Sequence, residues 1–238
     1  MIVIPAVRRI LTAVESAEHT VTRGLGVGLI ETEPSLTDRF LGALDNAFGT
    51  EIESDGYYLS VRTLRDRGPN APEREFGADV VSVLRVDTSN FQIAKGFLGQ
   101  AKMAGRGGVS VKFLNHRDLP EISIRRPSRD EEDPKSLYSQ CRQMLAVTPD
   151  SYVLVYAPNG IYVVPASSIA SLANDGQAHR VYMKLLRWFM ADFVNSFIGD
   201  LRVSAYDDAS LRRARDINLA NYAMMFQIQD AEARRRAL

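Results

Sequence analysis

Gly77-Ala78-Asp79-Val80-Val81-Ser82-Val83-Leu84-Arg85-Val86, then Asp87-Thr88-Ser89-Asn90, then Phe91-Gln92-Ile93-Ala94-Lys95-Gly96-Phe97-Leu98-Gly99-Gln100-Ala101-Lys102-Met103 is the stretch on which the fold turns. Ala78 to Val86 is rich in valine and apolar on both faces, the pattern of a buried central strand. Asp87 to Asn90 supply turn chemistry, and Phe91 to Met103 returns as a second strand. With the hairpin turning at Ser89-Asn90, Thr88 faces Phe91, and counting back along the antiparallel pair sets Asp79 opposite Gln100. Side chains alternate along a strand, so Gln100 and Lys102 share a face, and that face is also Asp79's. A carboxylate, an amide and an ammonium therefore converge within apolar surroundings. Burying them costs free energy unless they pair with one another or hold an ion.

Helical periodicity flanks this hairpin upstream. Val7, Ile10, Leu11 and Val14 predict a helix from Pro5 to about Thr22, interrupted by Gly24, Gly26 and Gly28. Leu36, Phe40, Leu41, Leu44 and Phe48 predict a second, from near Pro34 to Phe48, with Gly49 as its stop. Tyr57 to Leu64 reads as a strand, followed by a loop through Pro72. Downstream, Ala104 to Asp133 is glycine-, proline- and charge-rich, with a short strand-like piece at Val109 to Leu114. Leu137, Cys141, Met144 and Leu145 mark a helix opened by Asp133-Pro134. Ser151 to Tyr156 and Ile161 to Pro165 form a second hairpin about Pro158-Asn159-Gly160. Val181 to Ile198 reads as an apolar helix, and Ser210 to Arg236 as an arginine-rich one with Ile217, Leu219 and Met225 as its apolar points. The expected architecture is α/β, a mixed β-sheet flanked by helices. One domain over 1–238 is expected, with its core at about 31–200 and helical extensions at 1–30 and 205–238.

Composition limits the function classes. The chain is 45% hydrophobic and 24% charged, which is ordinary for a globular protein. The single cysteine, Cys141, excludes an internal disulfide framework or a cysteine-based zinc site and fits a reducing, cytoplasmic compartment. The apolar start is followed, not preceded, by Arg8 and Arg9, against a secretory signal. No apolar run reaches the roughly 18 to 20 residues that cross a bilayer. Basic and acidic residues balance at 29 each, so no global positive field draws nucleic acid. Local stripes remain: Arg62, Arg65 and Arg67; Arg106, Lys112 and Arg117; Arg125, Arg126 and Arg129; Arg212, Arg213 and Arg215.

The chemistry suited to Asp79, Gln100 and Lys102 is metal-assisted phosphodiester hydrolysis. Asp79 and the carbonyl oxygen of Gln100 are hard oxygen ligands for magnesium, and Lys102 positions water or stabilises phosphate charge. Gly77-Ala78-Asp79, a hairpin, Gln100-Ala101-Lys102, the helix with Gln140 and the strand Ser151 to Tyr156 together resemble the PD-(D/E)XK nuclease superfamily, above all its Mrr-type restriction-endonuclease branch. The resemblance covers Glu31 to Pro165. It implies a restriction-endonuclease-like fold and a Mg²⁺-dependent endodeoxyribonuclease, with Mn²⁺ as a substitute, acting on DNA in bacterial defence against foreign DNA. It also implies an acidic residue on the helix before the sheet. Glu33 is the expected residue and Glu31 the alternative, giving a catalytic set of Glu33, Asp79, Gln100 and Lys102, of which Glu33, Asp79 and Gln100 hold metal. Sequence specificity would come from the Ala104 to Asp133 loop, a homodimer partner or a partner defence protein. Glutamine in the middle position removes one negative charge, for which Glu75 is a candidate replacement.

Two other readings follow from the same residues. A catalytically silent member of this fold would serve as a nucleic-acid-binding or assembly module. An α/β protein with no nucleic-acid role would use Asp79 and Lys102 as a structural ion pair. Elsewhere, His19, His116 and His179 share no metal-ligand spacing, and Cys141 reads as a core residue. Gly24-Leu25-Gly26-Val27-Gly28 follows a helix and lacks the lysine of a phosphate loop. Tyr152, Tyr156 and Tyr162 read as packing, and Gln140 as a side chain able to face the site.

Overall fold

The computed structural model describes residues 4–29, 32–49, 51–65, 78–106, 108–112, 121–126 and 136–237. In chain order its elements are α1 (Ile4–Gly26), α2 (Glu33–Phe48), β1 (Ile52–Ser54), β2 (Tyr57–Arg65), β3 (Val80–Asp87), β4 (Gln92–Met103), β5 (Val109–Lys112) and β6 (Glu121–Arg125). There follow α3 (Leu137–Val147), β7 (Ser151–Ala157), β8 (Gly160–Pro165), α4 (Ala166–Ala170), β9 (Ala178–Val181) and β10 (Lys184–Leu185). The chain ends with α5 (Leu186–Val194), α6 (Asp208–Ile217), β11 (Tyr222–Asp230) and α7 (Ala231–Ala237). The main sheet is mixed and eight-stranded, in the order β1-β2-β11-β3-β4-β7-β8-β10; β5, β6 and β9 form a small second sheet. The α/β class with helices flanking a mixed sheet stands as expected.

The β3–β4 hairpin has the expected register. Val80 pairs with Gly99 and Asp87 with Gln92, and Thr88 N–H donates to Phe91 O at 2.9 Å. Extending the ladder by one step places Asp79 against Gln100. β4 then runs parallel to β7, with α3 between them in sequence as a crossover.

Alternation along the strands sends buried side chains into two apolar clusters. Phe97, Ala101 and Met103 of β4 join Val80 and Leu84 of β3 against α1, α2 and α5. Leu98 of β4 with Val81 and Val83 of β3 faces α3, α4, α6 and the small sheet. α1 belongs to this core: Ala6, Val7, Ile10, Val14, Ala17 and Val21 are buried, and Glu18 accepts the Ile161 N–H at 2.7 Å. It does not stop at Gly24, because packing offsets the roughly 1 kcal/mol cost of a helical glycine. The left-handed turn falls at Gly28, φ 72°. α1 thus packs into the core, where the sequence suggested a helical extension over 1–30.

The largest departure lies at the C-terminal end. Ser210 to Arg236 is not one helix and 205–238 is not a helical extension: α6 ends at Ile217, and β11 inserts between β2 and β3, antiparallel to the first and parallel to the second. Its run Tyr222-Ala223-Met224-Met225-Phe226 combines good helix formers with burial of all five residues. Intrinsic preference does not separate the two states here, Ala223, Met224 and Met225 favouring helix and Tyr222 and Phe226 strand, and the slot between two strands decides. The core accordingly extends well past residue 200. The helix expected over Val181 to Ile198 is also shortened, since β9 pairs with β6, β10 pairs with β8, and α5 begins only at Leu186.

Between α5 and α6 the chain crosses from one face of the sheet to the other over β4. Gly96 and Asp200 exchange backbone hydrogen bonds at 3.0 and 2.8 Å. A Cβ at Gly96 would lie 2.4 Å from Ser82 O and 2.5 Å from Val203 O, so only glycine admits this crossing. Among the described residues no helix is long and apolar enough to cross a membrane.

Candidate active site

β3 begins and β4 ends at the same end of the sheet, and α2 points its N-terminus there. Thr32 caps α2, its hydroxyl accepting the Ser35 N–H at 3.4 Å, with Pro34 in the first turn. Glu33, in that first turn, thereby faces the C-terminal end of β4. Its Oε1 accepts the Met103 N–H at 3.0 Å and its Oε2 lies 3.5 Å from Lys102 Nζ. Asp79 Oδ2 accepts the Ala101 N–H at 2.8 Å and the Gln100 side-chain N–H. All four residues named from the sequence are brought together. The Asp79 carboxyl is held above the usual range chiefly by burial, opposed by the Ala101 N–H and the Lys102 charge and reinforced by the Glu33 charge. Glu31 and Glu75 lie outside the described residues.

Reading the chain alone missed Asn221. Tyr222 N–H donates to Asp79 O at 2.9 Å, and the Tyr222 hydroxyl donates to Pro34 O at 3.2 Å. This register puts Asn221 Nδ2 at 3.4 Å from Asp79 Oδ1. No signal in the sequence could locate it while 210–236 read as continuous helix, because its neighbour in space is 142 residues away.

Oxygen is the donor type that collects here. Gln100 is 3% exposed, and with its nitrogen turned to Asp79 its Oε1 is left buried with no donor among the described residues. An unpartnered buried amide oxygen costs about 1–3 kcal/mol. Among the described residues Asp79 Oδ1 has only the long Asn221 contact. No group of three or more His, Cys, Asp and Glu side chains gathers among the described residues, so a cation here would rest on two carboxylates, Asp79 and Glu33, and on amide oxygen. Magnesium, which keeps several waters and needs only one or two carboxylates, fits that donor set.

The other expected features sort themselves. Gln140 sits on α3 with Oε1 buried and unpartnered among the described residues. Cys141 is buried in the apolar cluster beside α3, which pushes its thiol up to about 12. Tyr152 packs edge-on against Phe97 and Phe189, and Tyr156 and Tyr162 are buried, as packing residues should be. His19 is exposed, His179 pairs with Asp175 at 2.9 Å, and His116 lies outside the described residues. Of the basic stripes, Arg126 is 6% exposed, stacks 3.4 Å over Tyr138 and donates to Leu172 O, so it is a core cation and not a phosphate contact. Arg65 is engaged by Asp45 at 3.3 Å and Asp38 at 3.8 Å. Arg62, Arg106, Lys112, Arg125, Arg212 and Arg213 are exposed, whereas Arg67, Arg117 and Arg129 lie outside the described residues. Comparison of the chain with protein-family models, with curated proteins and with solved structures finds no match.

Proposed function

We propose that the chain is a Mg²⁺-dependent endodeoxyribonuclease of restriction-endonuclease-like fold that hydrolyses DNA phosphodiester bonds, and that it works in bacterial defence against foreign DNA. The observation that carries this reading is the meeting of Glu33, Asp79, Gln100 and Lys102 at one end of the β3–β4 hairpin. A bound Mg²⁺ supplies a Lewis acid for the phosphate and lowers the pKa of a coordinated water. Asp79, Glu33 and Gln100 Oε1 are the residues that would hold it. Asp79 is fixed for this by the Ala101 N–H, and Glu33 by the Met103 N–H, so neither carboxylate must reorganise. Lys102, paired with Glu33, directs its ammonium towards the site, where it orients the attacking water and offsets charge on the phosphoryl oxygens. The water oxygen bonds to phosphorus, one P–O ester bond breaks, and the departing oxygen takes a proton.

A second reading draws on a specific feature of the same site. Glu33 is already neutralised by Lys102, and Asp79 already takes two N–H donors on Oδ2, so the polar groups largely satisfy one another. That is the arrangement of a silent nucleic-acid-binding or assembly module. Incubation with plasmid and with linear DNA, with Mg²⁺ and with chelator, separates the two. Cleavage with Mg²⁺ that chelator abolishes is expected; binding of DNA with no cleavage in Mg²⁺ or Mn²⁺ gives the silent module.

A further inference from the structure

Among the described residues three other than glycine take positive φ: Asp55 at 52°, Ser196 at 68° and Leu219 at 51°. Aspartate tolerates this region, and Asp55 sits beside Gly56 in the turn between β1 and β2. Leu219 is different. It follows Asn218, the C-cap of α6, at the position where helices ordinarily place glycine. Its own N–H donates to Asp216 O at 3.2 Å and the Ala220 N–H to Arg215 O at 3.0 Å, which locks the conformation. A residue with a Cβ is strained there by about 1–2 kcal/mol. Burial does not offset the strain: Leu219 is 47% exposed, and Ile217 beside it 72%. Glycine at 219 would serve the turn better, so the leucine answers to something outside the fold.

The location narrows what that is. Ala220 is fully buried and Asn221 contacts Asp79, so the exposed turn is anchored immediately beside the candidate active site. Arg213, also exposed, precedes Ile217 by one helical turn and shares its face of α6. Apolar tips with a cation on one side, next to a phosphodiester-cleaving centre, match a nucleotide strand, which offers phosphates to the cation and base faces to the tips. We infer that the Ile217–Leu219 turn is a nucleic-acid wedge, packing its side chains against bases of a strand whose backbone passes the candidate active site, with Arg213 on the backbone. This rests on the phosphodiesterase reading.

The test is binding of a fluorescein-labelled DNA duplex by anisotropy in chelator, run beside thermal melting and sedimentation velocity. Leu219→Gly should keep or raise the melting temperature, since glycine suits the positive φ, while weakening duplex binding at least about threefold. Ile217→Ser should weaken binding similarly, and Arg213→Gln should reduce the dependence of affinity on salt. Unchanged duplex affinity in Leu219→Gly and Ile217→Ser overturns the wedge and leaves the phosphodiesterase reading standing. Unchanged affinity together with loss of an oligomer assigns the turn to a second copy of the chain, which overturns it too. A wild-type chain that neither binds nor cuts DNA removes the phosphodiesterase reading, and the wedge with it.

Discussion

Asp79 is held by backbone and side chains from two separate strands, Ala101 and Gln100 on one side and Asn221 and Tyr222 on the other. Replacing it removes a candidate ligand and also takes the acceptor from the buried Ala101 N–H and Gln100 amide, so the fold is checked beside the activity. Asp79→Ala and Lys102→Ala should each reduce Mg²⁺-dependent cleavage by at least on the order of a hundredfold with the circular dichroism spectrum retained; cleavage surviving either change would mean a different site. Glu33→Gln should lose about tenfold or more and be partly rescued by Mn²⁺, whereas Glu31→Gln should do little. The opposite order would make Glu31 the ligand. Asp79, Gln100 and Lys102 were legible because strand alternation and turn position are local rules, whereas Glu33 was named from the family resemblance, with Glu31 as the alternative. Asn221 was not legible, since its proximity depends on a strand pairing across most of the chain. Lys95 is a further residue whose meaning is purely tertiary. It is 2% exposed, donates to Ile198 O, and lies near the Phe193 ring, where burial lowers its ammonium to about 8. The folded chain releases this proton before the unfolded chain does, so the unfolded state binds more protons between about 8 and 10.5 and stability rises with pH across that window. Urea titrations of wild type and Lys95→Met from pH 7 to 10.5 should show that alkaline rise in the wild type and its reduction in the variant; parallel pH profiles would show that Lys95 is not the source.

β11 is the element on which the sheet's centre depends. It contributes Met224, Met225, Phe226 and Ile228 to the two faces, all 3% exposed or less. Each such side chain is worth about 1.5–3 kcal/mol on burial, so together they approach the whole stability of a typical domain. Ending the chain at Asn218 should therefore abolish cooperative unfolding and solubility, as calorimetry and sedimentation would record. A soluble truncated chain with a native melting transition would mean that β2 and β3 can close on each other. The elements read correctly from sequence, α2, the β3–β4 hairpin, α3 and the β7–β8 hairpin, carry strong periodicity or turn residues at their ends. β11 carries neither, only a short apolar run that fits a strand or a helix equally.

The molecule as a whole presses helices on both faces of one sheet, and α1 and β11 come from opposite ends of the chain into the same apolar cluster. Residues at the two termini should therefore unfold together with the centre. A single calorimetric transition is expected, with equal calorimetric and van't Hoff enthalpies. A separate low-temperature transition lost on deleting residues 1–29 would instead mark α1 as an independent extension. With formal charge of zero, the molecule's overall field gives no attraction to DNA, and on the proposed function such attraction would have to come from local exposed cations such as Arg213.

From its residues alone the chain specified an α/β fold, a hairpin with Asp79 against Gln100, and a helix start that offers Glu33, because periodicity, alternation and capping act over a few residues at a time. The folded structure decided which strands lie beside that hairpin. It turned Met224 and Phe226 from apparent helix into sheet, tied Arg126 to Tyr138, carried Asn221 to Asp79 and left Leu219 exposed in a strained turn. Each of those outcomes follows from contacts between residues far apart in sequence, where burial and strand pairing override local preference.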